Sequence, residues 1–190
     1  MQQHDVTAAI LYRNDEEIVG TAVARLTEFL RSQNLSFEVL AVDVASHDNS
    51  TALLTLMRRQ FPELRITTAP ARTPHLHAAQ VARGTVLWLT TPEGIDSSLG
   101  HFAAAFQQVA KEERELVVIS ERVALAHRAR ILASLHGLRS HGRRLPRGLV
   151  NRARFRGDNA GARVTAGRPR RTRARWLASL VSLLALERSP

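Results

Sequence analysis

Apolar runs and amphipathic stretches alternate along the first two-thirds of the chain. The run at 37–42, FEVLAV, is apolar at every position except Glu38. Such a run is typical of a strand that is covered on both faces, as in a parallel sheet. A polar turn follows at 43–50, and apolar residues then recur at helical spacing from Leu53 to Phe61. The pattern predicts a buried strand, a polar turn and an amphipathic helix.

The same alternation of strand and helix occurs five times, which predicts an α/β fold with a doubly wound, mostly parallel sheet. The predicted strands are 6–11, 37–42, 64–68, 85–89 and 116–119. The predicted helices are 16–32, the stretch after residue 50 that Pro62 ends, 77–83, and a helix from Ser97 or Ser98 to Lys111. Beyond these, we expect a helix over 124–138, an extended or mobile stretch over 139–175, and a last helix over 176–186.

Length and composition narrow the class of protein. A chain of 190 residues is long enough for one sizeable core. It has no cysteine, which excludes disulfides, a thiol nucleophile and a cysteine-ligated metal. The first residues lack the basic start and apolar run of a secretory signal, and no window reaches the ~18 consecutive apolar residues of a membrane span. We therefore expect a cytoplasmic protein.

Charge is distributed unevenly along the chain. Residues 1–121 carry ten basic and fifteen acidic side chains, whereas residues 122–190 carry seventeen arginines and two acidic side chains. This asymmetry indicates a mildly acidic folded part followed by a basic arm with anionic partners. Generous use of arginine on a solvated surface explains the same composition equally well.

Polar residues follow the first two predicted strands. Asn14 and Asp15 come after the first strand, and Asp43, Ser46 and Asp48 come after the second. Open α/β sheets bind ligands at the carboxyl ends of their parallel strands. These five side chains are therefore candidates for contact with a ligand. Capping of the following helices and compensation of their dipoles is the alternative role.

Four segments, in order, resemble the family 2 glycosyltransferases of the GT-A fold, especially the polyprenol-phosphate (dolichol-phosphate) sugar transferases. These segments are AILYRNDEEIVGTAVARL (9–26), FEVLAVDVASHDNSTALL (37–54), HAAQVARGTVLWLTTPEG (77–94) and ELVVISERV (115–123). A fifth, GDNAGARVTAGR (157–168), is similar to the family's acceptor-side segment. The resemblance implies a three-layer, Rossmann-like, nucleotide-sugar-binding domain over residues 1–123. Residues 124–190 would then form the Arg-rich arm and an amphipathic terminal helix.

The resemblance also implies a nucleotide-sugar donor, a lipid-phosphate acceptor and a nucleotide site at the five polar residues named above. In the family, a divalent cation (Mg²⁺ or Mn²⁺) held by an Asp-x-Asp motif stabilises the diphosphate leaving group. The aligned positions here are Thr90, Thr91 and Pro92, with Glu93 adjacent. Val44 stands where the family has its second base-reading Asp. No metal ligand set is therefore predicted.

Three interpretations follow from the missing carboxylates. In the first, the chain is a catalytically degenerate transferase that binds a nucleotide, a sugar or a protein without turnover. In the second, it is active without a metal, and Arg72, Arg83 or the basic arm compensates the diphosphate charge. In the third, it is a non-catalytic binding or scaffold protein that uses the arm and terminal helix.

The end of the chain combines a polybasic run with an amphipathic helix. This composition is typical of an anchor on an anionic membrane surface, which predicts peripheral association with the inner face of the membrane. The terminal helix packs instead on the domain or on a second copy in the alternative interpretation. Nucleic acid is disfavoured because the arm, 139–175, has one aromatic residue, Phe155, for base stacking. The candidate membrane or anion contacts are Arg170, Arg171, Arg173, Arg175 and Trp176.

Overall fold

The computed structural model describes residues 4–139 and 142–155, with only the backbone of residues 152–155. The strands in this part of the chain are β1 (His4–Tyr12), β2 (Phe37–Asp43), β3 (Leu64–Thr68), β4 (Gly84–Thr90), β5 (Leu116–Ser120) and β6 (Val123–His127). The helices are α1 (Glu16–Ser32), α2 (Ser50–Met57), α3 (Pro74–Val81), α4 (Ile95–Ala110), α5 (Arg128–Leu135) and α6 (Arg147–Phe155). A short 3₁₀ helix, Pro92–Gly94, joins β4 to α4.

The strands form one six-stranded, mostly parallel sheet in the order β3-β2-β1-β4-β6-β5. β1 pairs in parallel with β2 and β4, and β2 pairs in parallel with β3. β6 runs antiparallel to both β4 and β5. The first five strands therefore point the same way and end at one edge, which we call the carboxyl edge.

Helices cover both faces of this sheet, because successive residues of each strand point to opposite sides. On one face, Trp88 of β4 packs on Phe102 of α4 with ring centroids 4.6 Å apart, among side chains of α1 and α2. On the other face, small side chains such as Ala124 and Ala126 meet α3, α5 and α6. The result is the predicted three-layer, Rossmann-like α/β fold.

Helix α1 has the bounds that the sequence predicts. Glu16 and Glu17 lie in its first turn and Arg31 in its last, where they complement the helix dipole. Its inner face buries apolar side chains from Val19 to Leu30 against the sheet. Local sequence and tertiary packing agree in this element.

The prediction of a helix over 124–138 is wrong in its first part. Residues Val123–His127 form β6, between β4 and β5, and the helix begins at Arg128. Val123 and Leu125 face one side of the sheet, and Ala124 and Ala126 face the other. Burial on both faces gives a continuous apolar run that blends into the helical stripe that follows.

The prediction of an extended or mobile stretch from 139 is also wrong where the chain is described. Arg147–Phe155 form α6, and Leu145 and Leu149 are buried against the second face of the sheet. The division of the chain at residue 123 stays a prediction. In the described ranges, no helix combines the length and apolar character that crossing a bilayer requires.

Candidate functional site

The carboxyl edge gathers the polar residues that the sequence places after β1, β2 and β4. The loop after β1 and the loop after β2 lie against each other because their strands are neighbours. The turn after β4 lies on the other side of the β1 loop. Residues from the later part of the chain also reach this edge, through the β5–β6 turn and Arg143. The edge is therefore built from sequence-distant segments.

Helices α1 and α2 cap each other at this edge. The Glu16 N–H donates to Asp48 Oδ2 at 3.0 Å, and the Asn49 N–H donates to Glu16 Oε2 at 3.2 Å. Asp48 Oδ1 also accepts from the Ser50 hydroxyl, which lowers the pKa of Asp48 below its ordinary value. Asp48 and Glu16 thus satisfy backbone N–H groups at the two helix N-termini.

A second set of hydrogen bonds ties the β1 loop to the β2 loop. The Asn14 N–H donates to Ser46 Oγ at 3.1 Å, and Asn14 Oδ1 accepts from the His47 N–H at 2.8 Å. Asp43 Oδ1 accepts from the Ser46 N–H at 2.9 Å. Asn14 has a φ of 53°, a left-handed conformation that Asn adopts more readily than most residues. These side chains hold the loop geometry from which any ligand would be contacted.

An open cavity of about 580 Å³, which we call the edge cavity, lies over the two interlocked loops. Of the five predicted nucleotide contacts, Asn14, Asp15 and Asp48 line it, whereas Asp43 and Ser46 support the loop from behind. The lining residues are Asn14, Asp15, Glu16, Glu17, Ile18, His47 and Asp48. The cavity therefore presents carboxylate and amide oxygens, which accept hydrogen bonds from hydroxyl and N–H groups.

The turn after β4 does not fit a divalent cation. Thr90, Thr91 and Pro92 are buried, and Glu93 supplies the one carboxylate of the turn. Both Glu93 and the neighbouring Asp15 are already ion-paired with Arg143. Within residues 4–139 and 142–155, no three His, Asp or Glu side chains converge as metal ligands do. Hard cations need several oxygen ligands, and this arrangement does not offer them.

Arg143 connects the β1 loop to the β4 turn. Its guanidinium donates to Asp15 Oδ2 and, through Nη2, to Glu93 Oε1 at 2.9 Å. Arg122, in the β5–β6 turn, places its Nη1 3.8 Å from the same Glu93 oxygen. We call these four residues the arginine bridge. A planar guanidinium with several N–H donors suits such a link between two carboxylates.

The pKa values of the two carboxylates of the bridge are shifted in opposite directions. Burial raises the pKa of Asp15 above its ordinary value, although hydrogen bonding to the Arg13 N–H and the charge of Arg143 oppose this change. Burial also acts to raise the pKa of Glu93, but hydrogen bonding to its own N–H, with the charges of Arg143 and Arg122, lowers it overall. Glu93 is thus the better-stabilised anion of the pair.

The two arginines proposed from sequence to compensate a diphosphate lie at opposite edges of the sheet. Arg83 precedes β4, so it lies at the opposite, amino edge, where its N–H donates to Glu38. Arg72 is exposed in the loop between β3 and α3, which begins at the carboxyl edge. Arg143, which belongs to the predicted basic arm, is the arginine that reaches the site. Which of these arginines would compensate a diphosphate stays a prediction.

Several predicted contacts lie outside the described residues. These are Arg170, Arg171, Arg173, Arg175 and Trp176, the acceptor-like segment 157–168 and the terminal helix. Among the described residues, the sequence did not single out Arg122, Arg143 or the reciprocal caps. No local pattern marks Arg143, because its partner Asp15 lies 128 positions away. Gly142, just before Arg143, has a positive φ of 63°, a conformation that glycine favours.

Comparison with known proteins adds structural neighbours at low similarity. No family profile and no curated protein matches the chain. A mannosyltransferase, PcManGT from Pyrobaculum calidifontis, solved with GDP-Man and Mn²⁺, superposes with a TM-score of 0.47 and 16% identity over 73% of this chain. TarS 1–349 from S. aureus, solved with UDP-GlcNAc, superposes with a TM-score of 0.43 and 15% identity over 59% of this chain. The chain spans 48% of the first structure and 33% of the second, and at this similarity no residue role transfers between them.

Proposed function

We propose that the protein is a glycosyltransferase-like, nucleotide-sugar-binding protein without ordinary metal-dependent catalysis. The observation that carries this proposal is the arrangement at the carboxyl edge. A polar cavity lies over the β1 and β2 loops, and the β4 turn beside it has an arginine bridge and a single carboxylate, Glu93. The four family-like segments support the nucleotide-sugar class, and their missing Asp-x-Asp supports the loss of metal-dependent transfer.

The edge cavity suits the nucleoside part of such a ligand. Ribose hydroxyls and base N–H groups are donors, and Asn14, Asp15 and Asp48 present acceptors. If the protein is an active transferase, we expect from the resemblance that it transfers the sugar to a polyprenol phosphate. A non-catalytic scaffold is the second candidate, favoured by the use of Asp48 and Glu16 as reciprocal helix caps.

Thermal unfolding with UDP-, GDP- and dTDP-sugars, each with manganese and with EDTA, tests the proposal. A ligand at about 100 times its Kd adds about 2.7 kcal/mol to the free energy of unfolding. For a domain of this size, that raises Tm by roughly 5–10 °C. We expect one nucleotide class to raise Tm equally with manganese and with EDTA.

Two results would contradict this expectation in different ways. A rise in Tm that requires manganese shows that the metal site is functional and that the degenerate interpretation is wrong. If no nucleotide class changes Tm, nucleotide binding is ruled out and the scaffold function remains. Product analysis of the same mixtures, for released sugar or sugar on a polyprenol phosphate, separates binding from turnover.

The function of the basic end of the chain is proposed separately, because this segment lies outside the described residues. We propose that the polybasic run and Trp176 contact an anionic membrane surface from the cytoplasmic side. Co-sedimentation with vesicles that contain phosphatidylserine compares the full chain with a truncation at residue 168. Equal, negligible binding by both would rule out the proposed membrane contact. It would favour packing of the terminal helix on the domain or on a second copy.

A further inference from the structure

The carboxyl edge has two chemically different halves. On the β1–β2 side, the edge cavity is lined by carboxylates and an amide, with His47 as its one imidazole. On the β4–β6–β5 side, two guanidinium groups, Arg143 and Arg122, converge on Glu93. Asp15 belongs to both halves, since it lines the cavity and pairs with Arg143. An acceptor-rich half and a half whose two guanidinium groups are ion-paired with Asp15 and Glu93 are therefore adjacent.

The guanidinium of Arg143 retains capacity to bind an anion. It makes three hydrogen bonds to the carboxylates of Asp15 and Glu93, through Nη1 and Nη2. A guanidinium carries five N–H donors, more than these bonds use. The Arg143 side chain is 20% exposed, and that of Arg122 is 35% exposed, so solvent and ligands reach both. The bridge is thus anchored by protein carboxylates without being sealed.

A nucleoside diphosphate has the complementary division of chemistry. Its base and ribose are uncharged and rich in donors, which the acceptors of the edge cavity match. The carboxylates of the cavity repel its diphosphate. The N–H donors that Arg143 does not use for Asp15 and Glu93 are available to the phosphate oxygens. Arginine binds phosphate oxygens through two parallel N–H bonds, which fix orientation as well as charge.

We propose that Arg143 and Arg122 form a metal-independent subsite for the diphosphate of a nucleoside diphosphate whose nucleoside occupies the edge cavity. This inference rests on the proposed function and names the part of the site that replaces the divalent cation. Arg143 holds the two carboxylates, Asp15 and Glu93, that a cation at this position would need as ligands. A divalent ion therefore competes with Arg143 instead of acting with it.

Isothermal titration calorimetry in EDTA tests the subsite, with UDP and GDP as probes and uridine and guanosine as their uncharged counterparts. We expect one diphosphate to bind wild-type protein more tightly than its nucleoside. In Arg143→Gln, loss of charge-assisted hydrogen bonds weakens diphosphate binding about 10- to 100-fold and leaves nucleoside binding unchanged. Arg143→Lys keeps the charge without the planar fork, so it gives a smaller loss.

Arg130→Gln is the matched control. Arg130 is a half-exposed arginine of α5 that pairs with Glu112, and it lies at the amino edge, where β6 ends. This variant is expected to bind both probes as the wild type does. If Arg143→Gln unfolds, Arg122→Gln decides the question, because Arg122 lies 3.8 Å from Glu93 without a direct bond to the β1 loop. It is expected to weaken diphosphate binding severalfold.

The outcomes separate the two proposals. Diphosphate binding that is unchanged in Arg143→Gln and Arg122→Gln, or that requires manganese, overturns the arginine subsite and leaves nucleotide binding intact. Binding of neither nucleosides nor diphosphates by the folded wild type overturns the proposed function itself. A loss in Arg130→Gln equal to that in Arg143→Gln shows an unspecific charge effect and also overturns the subsite.

Discussion

Charged side chains act as cross-links between neighbouring segments at both edges of the sheet. At the amino edge, Glu38 of β2 is 4% exposed and accepts hydrogen bonds from the Thr7 hydroxyl, the Arg83 N–H and the Arg65 guanidinium. The arginine bridge has the corresponding position at the carboxyl edge. Each cluster satisfies polar groups that burial would otherwise leave unpaired.

Glu38→Gln is expected to lower the free energy of unfolding by about 2 kcal/mol. The amide keeps the shape but turns one acceptor towards the Arg65 guanidinium into a donor, so charge-assisted hydrogen bonds are lost. Urea unfolding measures the change. Glu63→Gln, at the more exposed pair with Arg31, is the control and is expected to cost at most about 1 kcal/mol. Equal effects of the two substitutions would contradict the role given to Glu38.

His75 is a second buried polar residue, and it gives the fold a dependence on pH. It lies in the first turn of α3, it is 2% exposed, and its Nδ1 has no hydrogen-bond partner among the described residues. Burial lowers its pKa to about 4 from the ordinary value of 6.5, although a hydrogen bond with the Arg143 backbone opposes this change. The helix predicted over 77–83 begins earlier, at Pro74, so His75 and His77 both lie in α3.

We expect the wild type to lose up to about 3 kcal/mol of stability through His75 as pH falls from 6.5 to 4. The unfolded chain takes up a proton in this range, whereas the folded chain keeps the imidazole neutral. Urea unfolding at a series of pH values measures the loss. His75→Gln is expected to flatten this part of the profile, whereas His101→Gln, at an exposed position, leaves it unchanged. A steep profile in both variants would assign the acid sensitivity to other groups.

At the level of elements, close approach of β1 and β4 depends on one glycine. A Cβ at Gly84 would lie 2.3 Å from the Thr7 nitrogen and 2.5 Å from the Val6 carbonyl carbon. The Thr7 hydroxyl also accepts from the Gly84 N–H at 2.8 Å. The central pair of strands, and hence the alignment of the β1 loop with the β4 turn, requires the absence of a side chain here.

Gly84→Ala is expected to destabilise the protein by about 2 kcal/mol or more, because the added methyl group meets backbone that cannot move without separating the strands. Gly100→Ala provides the matched control within α4, where a Cβ would meet no atom within 4 Å. This second substitution is expected to stabilise the protein by about 0.5–1 kcal/mol, since alanine favours helix over glycine. Thermal unfolding compares both variants with the wild type, and destabilisation by Gly100→Ala as well would contradict the steric explanation.

At the scale of the whole molecule, the basic part of the chain closes over the acidic part. β6 fills the gap between β4 and β5, and Leu145 and Leu149 then pack on the second face of the sheet. Arg122 and Arg143 bring positive charge to the acidic carboxyl edge. Some arginines of the basic part therefore neutralise carboxylates of the acidic part within the fold.

A chain truncated after residue 123 is expected to lose cooperative unfolding, because β4 and β5 have no partner between them without β6. A chain truncated after residue 155 retains every described element and is expected to unfold in one transition. Far-ultraviolet circular dichroism during urea unfolding distinguishes the two. Cooperative unfolding of the 1–123 chain would instead support a domain boundary at that residue.

Much of the fold is predictable from local patterns because β1 to β5 and α1 to α4 each have the periodicity of their own structure. The local pattern does not predict β6, because a short strand buried on both faces has the same apolar density as the helix that follows. In the site, loop polarity identifies Asn14, Asp15 and Asp48 at the cavity. The pairing of β1 with β2 decides which of these side chains line the cavity and which cap a helix. This pairing cannot be predicted from a local pattern.

The sequence by itself determined the α/β class, the polar loops after the first two strands and the absence of carboxylates at Thr90, Thr91 and Pro92. These properties are local, since they follow from periodicity and from residue type at a strand end. The tertiary structure alone decided that Arg143 joins Asp15 to Glu93. The physical reason is that parallel strands distant along the chain end at a common edge. Charges far apart in sequence are thereby brought within hydrogen-bonding distance, where Coulomb attraction and bond geometry select the partners.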